Sequence, residues 1–295
     1  MQKNIVCFGE VLWDILPSGP VAGGAPMNVA IRLQSLGMPA TIISRTGNDK
    51  CGNDLVNIIR SKRVNISCIQ QDPDMPTGEV LVKLSADGTA TYDIIYPSAW
   101  DKIEATGQNI QAAKNADAFV FGSLACRDTV SRDTLFQLLE QARFRIFDVN
   151  LRKPFYSPDL VLELMQRSDF IKLNDEELAE IVSALGATGS SQEEHIRFLS
   201  EKTSTNHLCV TRGKDGAVLF TGKKFYSHPG YTVLVADTIG AGDSFLAALI
   251  KGFLTSDDHE ASLDYASAVG ALVASRKGAI PELQEEEIQK LMQQK

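Results

Sequence analysis

Apolar residues along this chain follow two alternating rhythms. Short continuous apolar runs, such as Ile5-Val-Cys-Phe8 before Gly9-Glu10, read as strands buried on both faces of a parallel sheet. Between such runs lie stretches with helical spacing, such as residues 26 to 36, which Gly37 closes as a C-terminal cap. Thr41-Ile-Ile-Ser44 predicts a second strand, and a helix follows near 52 to 62. The alternation resumes after residue 105 with a strand from Ala118 to Phe121, a helix near 130 to 142 and a strand from Arg145 to Val149. A helix near 158 to 166, a strand from Phe170 to Leu173 and a helix from 174 continue it. His207 to Thr211 and Ala217 to Phe220 predict further strands, and long helices near 242 to 253 and 258 to 276 close the core. The pattern implies one domain over 1–295, a three-layer α/β/α sandwich around a mostly parallel central sheet.

One stretch breaks the alternation. Gly78 to Leu84 and Ala90 to Tyr96 alternate as a β-hairpin with Asp87-Gly88 in its turn, and Val11 to Val21 lacks helical periodicity. These insertions, about 11–21 and 77–100, are expected to pair into a small β-sheet standing off the core. A lid over an active site is the functional reading. An edge extension or a homodimer surface is the plainer one, and the two are compatible.

Composition narrows the function classes. A net charge of −8 argues against nucleic acid as a partner, because phosphate backbones need clustered Lys and Arg. It leaves room for a small phosphate ligand, which backbone N–H groups can hold. The five cysteines are dispersed without close spacing, and the four histidines form no metal-ligand pattern, so reduced thiols in a cytoplasmic protein are expected. No signal-peptide pattern and no run of membrane-spanning length is read, so no membrane partner is expected.

The densest chemistry lies in Asp237-Thr-Ile-Gly240-Ala-Gly242-Asp243-Ser-Phe245, a tight glycine turn entering an apolar helix. Unpaired N–H groups and the positive end of the helix dipole make such a turn an anion site. An acid at an anion site suits a general base, with Asp243 taking a proton from an alcohol while the turn holds a phosphoryl group. The plainer reading of Asp243 is a carboxylate interacting with the helix dipole. No Walker A spacing is present.

Other candidates flank this turn. Gly23-Gly24-Ala25-Pro26-Met27-Asn28 opens a helix, with Asn28 either a local cap or a hydrogen-bonding group for ligand hydroxyls, and Asp14 the matching acceptor. Asp148, Asn150 and Arg152 alternate at the end of a predicted strand, which would place all three on one face at the ligand crevice. Arg152 suits phosphate or a polar substrate, or a surface ion pair. Asn174 and Glu177 have capping-box spacing, and alternatively order Mg²⁺ waters along a phosphate chain. Thr211-Arg-Gly213-Lys-Asp-Gly216 is a strand–turn–strand whose glycines would admit a nucleotide, or simply a hairpin.

Taken together, these motifs resemble the ribokinase-like sugar kinases of the phosphofructokinase-B family. Residues 24 to 37 and Asp237 to Phe245 match its two signatures, and the Asn-x-x-Glu and Thr-x-Gly-x-x-Gly elements stand between them in order. The likeness covers nearly the whole chain. Gly9 to Pro17, Pro97-Ser-Ala-Trp100-Asp and Phe147 to Arg152 look most like fructokinases.

The resemblance implies ATP as donor, a primary sugar hydroxyl as acceptor and a β-lid. Asp243 then matches the catalytic base, and the backbone of Gly240, Ala241 and Gly242 the anion hole. Asp14, Gly23, Gly24, Asn28 and Asn150 match sugar-binding positions, and Arg152 an arginine near the substrate or phosphate. Asn174 and Glu177 match the Mg²⁺-associated element, and Thr211, Gly213 and Gly216 the ATP site. Asp237, Ile239, Val273 and Gly278 align with a loop that often binds a monovalent cation such as K⁺, with Glu282 standing where serine is frequent. The implied reaction turns fructose and ATP into fructose 6-phosphate and ADP. Another acceptor of the family, 2-keto-3-deoxygluconate or ribose, is the near alternative. A non-catalytic sugar or nucleotide sensor is the remote one.

Overall fold

The computed structural model describes residues 3–84 and 90–294. The chain begins with β1 (Ile5–Phe8), β2 (Leu12–Leu16), β3 (Gly19–Gly23), α1 (Ala25–Ser35), β4 (Ala40–Gly47), α2 (Lys50–Ser61) and β5 (Asn65–Asp72). Next come β6 (Gly78–Leu84), β7 (Ala90–Ile94), α3 (Gly107–Asn115), β8 (Ala118–Gly122), α4 (Thr129–Leu139), β9 (Arg145–Asp148) and α5 (Pro158–Gln166). The C-terminal half adds β10 (Phe170–Asn174), α6 (Asp175–Ala184), α7 (Gln192–Thr203), β11 (His207–Thr211), β12 (Ala217–Thr221) and β13 (Phe225–His228). It ends with α8 (Ala241–Thr255), α9 (His259–Ala274) and α10 (Glu285–Met292).

Nine strands form the central sheet in the order β13-β12-β11-β10-β9-β8-β1-β4-β5. Every pairing from β5 to β11 is parallel, and β12 and β13 add an antiparallel edge. The apolar runs are buried on both faces because successive side chains point to opposite sides. Val6 and Phe8 of β1 join one core with Phe119, Phe121 and Phe147, while Ile5 and Cys7 join the other with residues of α1, α8 and α9. This is the expected three-layer sandwich.

Five elements escaped the sequence pattern: β5, α3, α7, β13 and α10. Both β5 and β13 are sheet edges with mixed polar and apolar residues, so neither carries a continuous apolar run. α7 is mostly polar and buries only Ile196, Leu199 and Thr203, although its Ser191/Glu194 capping box marks its start.

The two insertions pair as expected. A four-stranded second sheet has the order β3-β2-β6-β7, with β2 and β6 parallel and the outer pairs antiparallel. The Asp87-Gly88 turn lies outside the described residues. The root of this sheet is tied to the core by Arg127, just after β8. Its guanidinium donates to both carboxylate oxygens of Asp101 at 2.7 and 2.8 Å and to the Ile95 carbonyl at 2.7 Å. It also lies over the Trp100 ring at 3.9 Å. Asp101 is wholly buried and the Arg127 side chain is 2% exposed, so each charge depends on the other. Arg127→Leu should therefore cost about 3–5 kcal/mol by leaving Asp101 buried and uncompensated. Denaturant unfolding reads this directly, and an unchanged midpoint would contradict it.

Candidate active site

The C-terminal ends of β1, β9 and β10 and the N-termini of α1 and α8 converge on one side of the central sheet, where open α/β sheets hold their ligands. The Asn28 Nδ2 of α1 donates to Asp243 Oδ2 of α8 at 2.8 Å, joining residues 215 apart in the chain. Asn28 is not a helix cap, since Gly24 occupies that position and makes no side-chain cap bond. Its Oδ1 is buried with no partner, a free acceptor for a ligand hydroxyl. One turn further along α1, Arg32 locks the two helices together. Its Nε meets Ser244 Oγ at 3.1 Å and its Nη2 the Pro281 carbonyl at 2.8 Å.

The glycines before α1 are dictated by close approach. Gly24 has φ 112°, and a Cβ there would run into the Glu10 backbone. A Cβ on Gly23 would collide with the Asp14 carboxylate, which lies across it. Burial raises the Asp14 carboxyl to about 6, with the positive charge of Arg152 pulling the other way. Glu10 is buried, its Oε2 has no partner, and burial carries its carboxyl to about 7.

The turn into α8 is as tight as its glycines suggest. Gly240 has φ 72°, and its Cα packs against the Ala279 carbonyl so closely that no side chain fits. Asp237 ties two loops together, accepting from Ile239 N at 3.0 Å and Gly278 N at 3.1 Å. The Ala241 N–H points to the Thr238 carbonyl at 3.3 Å. Among the described residues the N–H groups of Gly240, Gly242 and Asp243 meet no backbone acceptor outside the helix, so these are the donors left for an anion. This narrows the expected anion hole, in which Ala241 had been included.

Asp243 itself is half-buried. Burial, and then the neighbouring Asp148 carboxylate, push its carboxyl up to about 6, while Asn28, Lys172 and Arg152 act against the rise. Lys172 on β10 bonds Asp148 Oδ1 of β9 at 2.9 Å, and both are buried. Burial alone would push the Lys172 ammonium down, but the carboxylates of Asp148, Glu177 and Asp243 hold it well above its usual range.

The shared strand face expected for Asp148, Asn150 and Arg152 is not formed. β9 ends at Asp148, and Asn150 has φ 41°, which breaks the alternation. Arg152 is exposed and donates to its neighbour's Leu151 carbonyl at 3.0 Å, although its charge acts on Glu10, Asp14 and Asp243.

Asn174 and Glu177 form a complete capping box at the start of α6. Glu177 Oε2 accepts from Asn174 N at 2.8 Å and Oε1 from Leu151 N at 2.8 Å. Each carboxylate oxygen keeps a further lone pair, so the residues fit Mg²⁺ held through water. The described residues contain no cluster of three or more His, Cys, Asp and Glu able to hold a metal. At the loop junction, Asp237, Ile239 and Gly278 come together, whereas the Val273 carbonyl accepts from Arg276 N at 3.0 Å. A carbonyl oxygen has a second lone pair, so this bond leaves Val273 able to face a monovalent cation with the rest of the junction.

Thr211 lies at the end of β11, its hydroxyl 3.5 Å from the Leu173 carbonyl. Gly213 has open space where a side chain would stand. Gly216 does not, because the backbone of His228 and Gly230 fills the room a side chain would need. Its glycine is required by chain packing.

The model of the pfkB family carbohydrate kinases matches residues 19–286. The chain belongs to this family. It is a phosphotransferase acting on a carbohydrate hydroxyl. It is 31% identical to a probable fructokinase-5 of Arabidopsis thaliana, covering 99% of this chain and 98% of the relative. To a fructokinase of Escherichia coli it is 29% identical, covering 96% and 97%. The ATP-bound fructokinase of Xylella fastidiosa has a similar structure, with a TM-score of 0.85 and 25% identity over 100% of this chain and 99% of that one.

Three residues of this kinase's site were not legible as such. Lys172 sits inside an apolar strand run, where a charged residue is itself a signal. Glu10 after β1 and Arg32 on the buried face of α1 carried the same sign.

The raised carboxyl of Asp243 has a stability consequence. Ordinarily near 3.8, it binds its proton more tightly in the folded chain. Its contribution to stability is full below the ordinary value and is lost as pH rises through about 6. Asp243→Asn, which cannot ionise, should melt higher than the parent at pH 7, with the gap closing toward pH 4. Thermal melts across that range check it, and a lower melting temperature at pH 7 would contradict it.

Proposed function

We propose that this carbohydrate kinase transfers the γ-phosphoryl group of ATP to the primary hydroxyl of fructose, giving fructose 6-phosphate and ADP. The observation that carries the reading is the Asn28–Asp243 contact, which brings an amide with a free acceptor beside an acid in the first turn of a helix. The near full-length likeness to fructokinases supports fructose as the acceptor.

In this mechanism Asp14, Gly23, Gly24, Asn28 and Asn150 line the sugar side. Asn28 Oδ1 accepts from one sugar hydroxyl, and Arg152 adds positive charge near the acceptor. The Asp243 carboxylate takes the hydroxyl proton as that oxygen attacks the γ-phosphorus. The new P–O bond forms as the bond to the β-phosphate oxygen breaks, and ADP leaves with the bridging electron pair. The N–H groups of Gly242 and Asp243, at the Gly240 turn, receive the charge on the transferred group. Thr211 and Gly213 flank the nucleotide. Mg²⁺ bound with ATP would neutralise phosphate charge, with Asn174 and Glu177 reaching it through water. A K⁺ near Asp237 would brace the turn.

The second sheet serves as a lid that excludes water during transfer. Val21 and Tyr92 on it are exposed and apolar enough to form a dimer face as well. A cytoplasmic setting suits these substrates.

A coupled ADP-release assay with fructose, ribose, 2-keto-3-deoxygluconate and glucose tests the assignment. Fructose should have the highest kcat/KM, and a preference for another acceptor would overturn it. Asp243→Asn should lose about 10²- to 10⁴-fold in kcat while still binding fructose. Turnover close to the parent's would rule out Asp243 as the base. The acid limb of kcat/KM should fall below about pH 6, where Asp243 becomes protonated.

A further inference from the structure

One buried cation at the turn has no part in the mechanism so far. The Lys172 side chain is 9% exposed and points from β10 toward the start of α8. A Cβ placed on Gly242 would lie 3.3 Å from its Nζ, so the ammonium occupies the space beside the turn that a side chain would take. An ammonium has three donors. Among the described residues, Asp148 is the hydrogen-bond partner found for Nζ, at 2.9 Å. A buried charge with spare donors is costly unless something else satisfies them.

The surroundings explain why a cation is needed there. Asp148, Glu177 and Asp243 all act on Lys172, so three carboxyl groups border an anion site. Without a local positive charge, an incoming phosphate would meet that acidic wall. Arg152, the other cation acting on Asp243, is exposed and bonded to its own neighbour's carbonyl.

We infer that Lys172 is a further catalytic residue, whose ammonium reaches past Gly242 and donates to an oxygen of the phosphoryl group held at the turn. Asp148 is its positioning residue, holding the ammonium through their 2.9 Å bond. Lys172 takes no proton and forms no covalent bond. It balances charge on the phosphoryl oxygens while the sugar proton goes to Asp243 and the bond to ADP breaks. The inference rests on the kinase reading of the same site.

Lys172→Met alone would leave Asp148 buried and unpaired, so the test uses Lys172→Met together with Asp148→Asn, compared with Asp148→Asn alone. Folding is checked by thermal melts. The double variant should lose about 10²- to 10³-fold in kcat relative to the single one, the scale of one lost charge-stabilising donor. KM for fructose and affinity for ADP should stay within about 3-fold, a split that a merely structural role would not produce. Calorimetric binding of ADP with aluminium fluoride, a mimic of the phosphoryl group in flight, should be lost in the double variant and kept in the single one. Equal kcat values, or a loss carried wholly by fructose KM, would overturn the inference. If the double variant does not fold, Lys172→Arg replaces it. That change keeps the charge but moves its donors, and should lower kcat with fructose KM unchanged; an unchanged kcat overturns the inference. A parent protein inactive on every sugar would defeat the acceptor assignment instead, while the aluminium fluoride binding would still report on Lys172.

Discussion

The junction between the first turns of α1 and α8 governs this molecule. Asn28 and Asp243 meet there across most of the chain's length, and Arg32 clamps the same two helices one turn deeper. Arg32 is almost wholly buried, so its position is set by Ser244 Oγ and the Pro281 carbonyl rather than by solvent. The clamp fixes where the acid of one helix faces the amide of the other. Neighbouring glycines follow from it, because Gly24 and Gly240 each press bare backbone against another segment.

Electrostatics at that junction are balanced rather than simply positive. A helix start attracts anions, yet Glu10 and Asp148 stand close enough to Asp243 for their charges to interact with it. Burial keeps several of these carboxyls closer to neutrality than usual, and Lys172 and Arg152 offset the rest. Such a site favours a ligand carrying its own charge and its own proton to give away. A sugar hydroxyl and a nucleotide phosphate meet both needs.

Periodicity exposed most of the central sheet, because strands buried on two faces leave continuous apolar runs. It failed at β5 and β13, whose edge positions leave polar residues in the pattern, and at α7, whose polar composition hides its narrow buried stripe. Among the candidate residues, the glycine turn and the acid in its helix's first turn were legible from spacing alone. Asn150 and Arg152 were misplaced by extending strand alternation past Asp148, where a residue at φ 41° ends it. Gly216 was legible as a glycine, but its reason is the backbone packed above it.

By itself the sequence determined the layered α/β architecture, the pairing of the two insertions into a second sheet and a tight glycine turn with an acid in the first turn of the following helix. Each is a local matter of apolar period, turn residues or helix-end chemistry. Only the tertiary structure decided which groups meet the acid. Asn28 and Lys172 reach Asp243 or its turn from elements far away in the chain, and Ala241 is withdrawn from the anion hole by a single carbonyl. Contacts of that kind depend on how helices and strands pack, a constraint that no local spacing records.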